Sequence, residues 1–294
     1  MNELKTSEYR YKELFPLFEY LSKCNISYSV IKGEPLSVAA YGAPGKRGVS
    51  NDIDLLIPRN SVEKIKEALV SMGFELENTN RLHYITALAS THQSIPYRKK
   101  LNSGTIVEVD INHDIFWGEY TGKRISMDEF LNDAVNMSIY GCDVKTLPPL
   151  KAIIQLILHH YNEFNCIYHL FLGYCINYSM LKDIYCLWAR NKEAISQNLY
   201  EISCKYEIVP YVYYILYYTN LIFSNVELEK LLKSFETSEG KALLHCYGLT
   251  DAERKIWNVD FFARLNEENV FKFIKRDLTK ADIEKLERAK EIFG

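Results

Sequence analysis

The sequence predicts an α+β protein: a mixed-sheet domain over residues 1–146, then an all-α domain over 147–294. Two observations carry this. Strand and helix periodicities alternate through the first half, whereas only helical periodicity continues in the second. A third observation sets the boundary: the Thr146-Leu147-Pro148-Pro149 step separates the two patterns.

Taken in order, Glu8 to Lys23 places Leu14, Leu17, Phe18 and Leu21 on one helical face, with Pro16 as a candidate interruption. Ser27 to Ile31 reads as a strand, and residues 34–41 as a short helix. The Gly- and Pro-containing stretch YGAPGKRGVSN is a loop. It leads into the strongest strand of the chain, Asp52 to Ile57. Arg59-Asn60-Ser61 caps a helix that runs to about Met72, where Gly73 suits the C′ position. Tyr84 to Leu88 and Thr105 to Ile111 read as further strands, and Arg98-Lys99-Lys100 as a solvated loop. Pro148-Pro149 opens a helix in which Leu150, Ile153, Ile154, Ile157, Leu158 and Tyr161 recur at helical spacing. Helices are expected over about 178–190, 193–206, 209–223, 226–235, 251–265 and 279–293. Thr279 and Asp282 are spaced as a capping box.

Composition narrows the function classes. Thirty-five Lys and Arg face 38 Asp and Glu, a net charge of −3, and residues 148–294 carry no dense basic stripe. Both facts argue against a polynucleotide partner, which calls for a surplus of positive charge. The seven Cys are odd in number and form no CxxC pair, so reduced thiols in the cytoplasm are expected. The charged N-terminus lacks the apolar core of a signal peptide. Ile208 to Val226 is uncharged, but Pro210, five Tyr and several polar residues suit a buried helix rather than a membrane span. The 22 Tyr are concentrated in the helical half. Packed helices account for them most simply; a cleft for an aromatic or sugar-like molecule is the alternative.

Chemistry concentrates in the first half. Asp52 and Asp54 alternate with Ile53 on a strand, so both carboxylates point to one face, about 6–7 Å apart. Such a pair suits a hard cation such as Mg²⁺. Glu108 and Asp110 share a face of the Thr105–Ile111 strand, and either completes a three-carboxylate set if that strand lies beside Asp52–Ile57. Lys32-Gly33 ends an earlier strand, where Gly permits close backbone approach to a phosphate at a helix N-terminus. The plainer reading of a DxD run is a solvated strand end. The joint spacing of Lys-Gly, DxDLL and a downstream carboxylate strand is more specific.

The run IKGEPL, the Pro/Gly loop with Arg47, NDIDLLI and VEVDI resemble the nucleotidyltransferase superfamily with the DNA polymerase β fold. More narrowly they resemble a branch of uncharacterised bacterial nucleotidyltransferases with a Lys-Gly before DIDLL. The likeness extends weakly to His159-His160-Tyr161 and to Leu181-Lys182-Asp183-Ile184. It implies that Asp52, Asp54 and Asp110 are catalytic and hold two Mg²⁺ ions, with Glu108 the rival third ligand. It also implies that Lys32, Gly33, Arg47 and Ser50 bind the triphosphate of an NTP co-substrate. A nucleoside monophosphate, AMP by preference, passes to a hydroxyl of a small molecule or of a protein or peptide, and pyrophosphate leaves. The sequence departs from the family at Glu34, an acid where a small residue is usual. That acid raises the alternative of a degenerate nucleotide- or partner-binding regulator of the toxin–antitoxin type.

His159, His160 and His169 invite a zinc reading. They lack the HExxH form and a flanking acid, so they are expected to be core or cleft-lining residues. Asp183, set in an apolar helix, is expected either to tie helices together or to face an acceptor pocket. No GxSxG or comparable nucleophile motif is present.

Overall fold

The computed structural model describes residues 3–48, 50–76, 80–116 and 124–293. They divide into two compact units. The first takes in the described residues up to Phe116 and from Arg124 to Ala152; the second begins at Ile153. The division therefore falls inside a helix, a few residues beyond the Pro148-Pro149 step.

The first unit opens with helix α1 (Glu3–Lys23), which passes Pro16 without ending. Strand β1 (Ser29–Ile31) follows, then α2 (Gly33–Tyr41) and β2 (Asp52–Leu56). Next come α3 (Val62–Ser71), the short β3 (Glu75–Leu76), α4 (Arg81–Ser90), β4 (Tyr97–Lys100) and β5 (Ile106–Asn112). The unit finishes with α5 (Met127–Phe130), the hairpin β6 (Val135–Ile139) and β7 (Cys142–Thr146), and the start of α6 (Pro149–Asn165). The seven strands form one sheet in the order β3-β4-β5-β2-β1-β7-β6. The β2–β5 and β1–β7 pairs are parallel; the other pairs are antiparallel.

Alternation along the strands sorts the side chains by face. Val30, Ile53, Leu55, Tyr97, Val107, Val109, Ile111 and Val144 join one core with Leu14, Leu17, Phe18 and Leu21 of α1 and Ile65 and Leu69 of α3. The intervening residues Asp52, Asp54, Glu108, Asp110 and Asn112 lie on the opposite face. The hydrophobic period thus decides which side of the sheet carries polar chemistry.

Two expectations in this unit are corrected. Tyr84 to Leu88 is helical, within α4, because the Asn80 side chain caps the helix by accepting from Leu82 N and His83 N. Arg98-Lys99-Lys100 is not a loop but strand β4, with Arg98 paired to Glu108 and Lys99 to Glu13. The β6–β7 hairpin also had no expected counterpart.

The second unit contains the rest of α6, α7 (Ile167–Phe171), α8 (Tyr178–Arg190), α9 (Lys192–Ser196) and α10 (Leu199–Lys205). It continues with α11 (Val209–Phe223), α12 (Val226–Ser234), α13 (Ser238–Leu243), α14 (Phe261–Leu265), α15 (Phe271–Ile274) and α16 (Lys280–Phe293). A short antiparallel pair, β8 (Cys246–Tyr247) and β9 (Lys255–Ile256), interrupts the helices. Of the expected helix over 251–265 only Phe261–Leu265 is helical, the residues before it forming a turn, β9 and a bend, and the one over 193–206 is two helices. Thr279 and Asp282 do cap α16 reciprocally, Thr279 N donating to Asp282 Oδ2 and Asp282 N to Thr279 Oγ1.

Helix α11 is the uncharged segment, and Tyr211, Tyr213, Tyr214 and Tyr218 are buried in it. Tyr161 contacts Tyr211 and Tyr214, while Tyr218 stacks on Phe261 at 4.0 Å. Most of the Tyr excess on this helix is therefore core. Among the described residues, no helix is long and apolar enough to cross a membrane.

Candidate functional site

The β2–β5 register brings the predicted carboxylates together. Asp52 pairs with Glu108 and Asp54 with Asp110, all on the polar face of the sheet. Glu108 is engaged by Arg98 of β4. Asp110 sits beside Asp54, and its Oδ1 is buried without a hydrogen-bond partner. Burial, then the charges of Asp54 and Asp52, push its carboxyl up to about 7. Asp54 is also raised, chiefly by burial, although Lys32 opposes the shift.

Donors surround Asp54 and Asp52. The Lys32 ammonium lies 2.8 Å from Asp54 Oδ1, and Asn112 Nδ2 donates to the same oxygen at 3.2 Å. Ser50 Oγ donates to Asp52 Oδ1 at 2.5 Å. The Ser50 carbonyl in turn accepts from Arg10 Nη1 at 2.7 Å, and Arg10 Nε reaches the Ile106 carbonyl at 3.2 Å. Arg10, from α1, therefore clasps the entrance of β2 to the entrance of β5.

Lys32 and Gly33 form the turn from β1 into α2. Both have positive φ, 56° and 34°. The N-cap residue Lys32 makes no side-chain capping hydrogen bond. A Cβ at position 33 would meet Ser50 Cβ at 3.5 Å, an ordinary contact, so the positive φ rather than lack of space is what calls for Gly here. Arg47 is exposed on the following loop, where its backbone N donates to Ser37 Oγ.

Glu34 is buried, and it turns away from the carboxylates. Its Oε2 accepts from Gly45 N at 2.6 Å and its Oε1 from the Tyr140 hydroxyl at 3.0 Å. The acid that departs from the family pattern is a structural tie between α2, the Gly/Pro loop and the β6–β7 turn. It places no negative charge among the aspartates.

Arg10, Asn112 and Tyr140 were not anticipated. Arg10 carries a faint signal, a charge on an otherwise apolar helical stripe; Asn112 continues the alternation of Glu108 and Asp110. Tyr140 had none, because its partner lies 106 residues away.

The all-oxygen donor set of Asp52, Asp54 and Asp110 suits Mg²⁺, and the orphaned Asp110 Oδ1 is an acceptor that a cation would satisfy. The two donors to Asp54 both take Oδ1, leaving Oδ2 outside those contacts. The residues fit the ion.

One further cluster corrects a premise of the histidine reading, although His160 is buried as expected. A flanking acid does exist: His159, His160 and Glu163 are the one group of three described His, Cys, Asp or Glu residues whose ligand atoms lie within 4.8 Å of one another. His169 is not part of it.

A family model described as uncharacterised nucleotidyltransferase matches residues 6–224, which includes the site and runs into the helical half. The chain belongs to this family. Among solved structures, the nucleotidyltransferase family member is similar to an antigenic nucleotidyltransferase-like protein from Paracoccidioides brasiliensis, with 16% identity and a TM-score of 0.41 over 76% of this chain and 92% of that one. No curated protein matches it.

Proposed function

We propose that this nucleotidyltransferase family member transfers a nucleoside monophosphate, AMP by preference, from an NTP to a hydroxyl. The acceptor is a small molecule or a protein or peptide side chain. One observation carries the reading: Asp52, Asp54 and Asp110 share one sheet face, and Asp110 has a buried, unsatisfied oxygen. Asp52, Asp54 and Asp110 would hold Mg²⁺, which when bound offsets the triphosphate charge and favours ionisation of the acceptor hydroxyl.

The chain's own groups account for the rest. Asp110 takes the proton of the hydroxyl as its oxygen attacks the α-phosphorus and the bond to pyrophosphate breaks. The α2 N-terminus, entered through Lys32 and Gly33, offers its positive dipole end to anionic phosphate oxygens. Lys32 and Arg47 supply positive charge to the triphosphate. Ser50 fixes the Asp52 carboxylate by its hydrogen bond and acts as a positioning residue. The seven free thiols and the need for NTP suit the cytoplasm.

The test supplies α-³²P-labelled NTPs with Mg²⁺ to the purified protein and cell extract. Wild-type protein labels an acceptor and releases pyrophosphate. D54N keeps the fold and loses the labelling by more than about a hundredfold, in line with loss of electrostatic stabilisation. Equal labelling by D54N overturns the assignment. The Lys32–Asp54 ion pair favours a second reading, a nucleotide-binding regulator; tight NTP binding without pyrophosphate release distinguishes it.

A further inference from the structure

Helix α6 carries a second polar cluster in the part of the chain that belongs to the second unit. Glu163 lies four residues after His159 and three after His160, so its carboxylate stands one turn beyond both rings. Glu163 Oε2 is 3.4 Å from His159 Nε2 and 3.5 Å from His160 Nδ1. His160 is 3% exposed, and both of its ring nitrogens are buried without a hydrogen-bond partner. Its ring is parallel to Phe164, with centroids 5.9 Å apart, which holds its orientation.

Two explanations compete for this arrangement. Charge-assisted hydrogen bonds draw nitrogen and oxygen to about 2.7–2.9 Å, and the separations here are longer. Ligand atoms about 2.0–2.1 Å from a tetrahedral zinc ion stand roughly 3.3–3.4 Å from one another, close to the two nitrogen–oxygen separations here, and all three ligand atoms lie within 4.8 Å of one another. A buried imidazole with no partner is costly, and a metal at Nδ1 removes part of that cost.

The geometry points to a transition-metal site, formed by His159 Nε2, His160 Nδ1 and Glu163 Oε2, that takes Zn²⁺. Two imidazoles and one carboxylate are borderline ligands that prefer Zn²⁺ to Mg²⁺. Three protein ligands leave a fourth position to water, as in sites where the metal meets a substrate. Its donor set differs from that of the aspartates, whose all-oxygen set selects the harder ion.

The full-length protein, stripped with chelator and held in excess Mg²⁺, is titrated with Zn²⁺ by calorimetry. Replacement with Co²⁺ reports the ligands by visible absorption. Wild-type protein is expected to bind one Zn²⁺ at this site. H159N and E163Q, both at partly exposed positions, remain folded by circular dichroism and bind it more than about tenfold more weakly. The Co²⁺ spectrum shows d–d bands without the thiolate charge-transfer band that the seven Cys would give. Absence of Zn²⁺ binding by the folded wild-type chain overturns the site. So does binding unchanged in both variants, or a thiolate spectrum.

Discussion

At the residue scale, Asp110 shows how environment makes a carboxyl useful. Its carboxyl is raised to about 7 by burial and by Asp54 and Asp52. A carboxyl with a folded-state pKa above its unfolded value binds more protons when folded. Its stabilising contribution is therefore present below the unfolded value, near 4, and is lost as pH rises through 7. D110N removes this dependence. In metal-free protein, the variant is expected to melt higher than wild type at pH 8 by about 1–2 kcal/mol, discounted for partial exposure, and to match it more closely at pH 5. Differential scanning calorimetry at the two pH values reads the difference; a larger gap at pH 5 would refute the sign. Added Mg²⁺ stabilises wild type and not the variant.

Glu34 makes the opposite point. In the sequence it is an acid near a phosphate loop, whereas in the fold it is a buried acceptor for Gly45 N and Tyr140 Oη. Y140F leaves one carboxylate oxygen without its donor and is expected to cost about 1–2 kcal/mol in urea unfolding. No change in the midpoint would mean that the tie contributes nothing.

At the element scale, much of the site was readable because it depends on period-two alternation. Asp52 and Asp54 had to share a face of β2, and Asp110 had to share one with Glu108. What alternation leaves open is which strands become neighbours, and that register chose Asp110 as the neighbour of Asp54. The β1–α2 turn was legible for a similar local reason, since Lys-Gly ends a strand and begins a helix. G33A is expected to destabilise the protein by about 1 kcal/mol, because φ of +34° strains an Ala backbone. By straining the turn that carries Lys32, the same variant is expected to weaken NTP binding as well. Equilibrium binding of a fluorescent NTP checks this. The element errors have one cause too. Tyr84–Leu88 has strand-like residues, yet the Asn80 cap and the neighbouring residues decide for a helix.

At the scale of the whole molecule, each unit is stabilised by its own buried cluster. In the second unit Arg264, 2% exposed, lies 4.6 Å from the Trp257 ring and donates to the hydroxyls of Tyr214 and Tyr218. The Tyr214 hydroxyl in turn donates to Asn165 Oδ1, and the Tyr218 hydroxyl to the Leu244 carbonyl. An arginine among aromatic rings thus links α11, α14, the end of α6 and the segment after α13. Gly240 permits the close approach of α13, since a Cβ there would fall 2.8 Å from the Tyr213 ring. R264M retains bulk but removes the donors and the cation–π contact; a loss of about 2 kcal/mol is expected. Trp188 and Trp257 both lie in this unit. Their fluorescence should therefore report a lower urea midpoint, and an unchanged midpoint would count against the network.

By itself, the sequence determined the α+β class, the polar face of the central strands and the identity of the aspartates upon it. These are properties of short-range period, and each strand carries them alone. It also placed most helices, because apolar residues at helical spacing require a buried side. Only the tertiary structure decided the direction of Glu34, the clasp made by Arg10, the orphaned oxygen of Asp110 and the Tyr–Arg264 network. These depend on which distant segments become neighbours and on how much water they exclude. Burial and charge at a single side chain are set by the whole packed unit, so no local pattern encodes them.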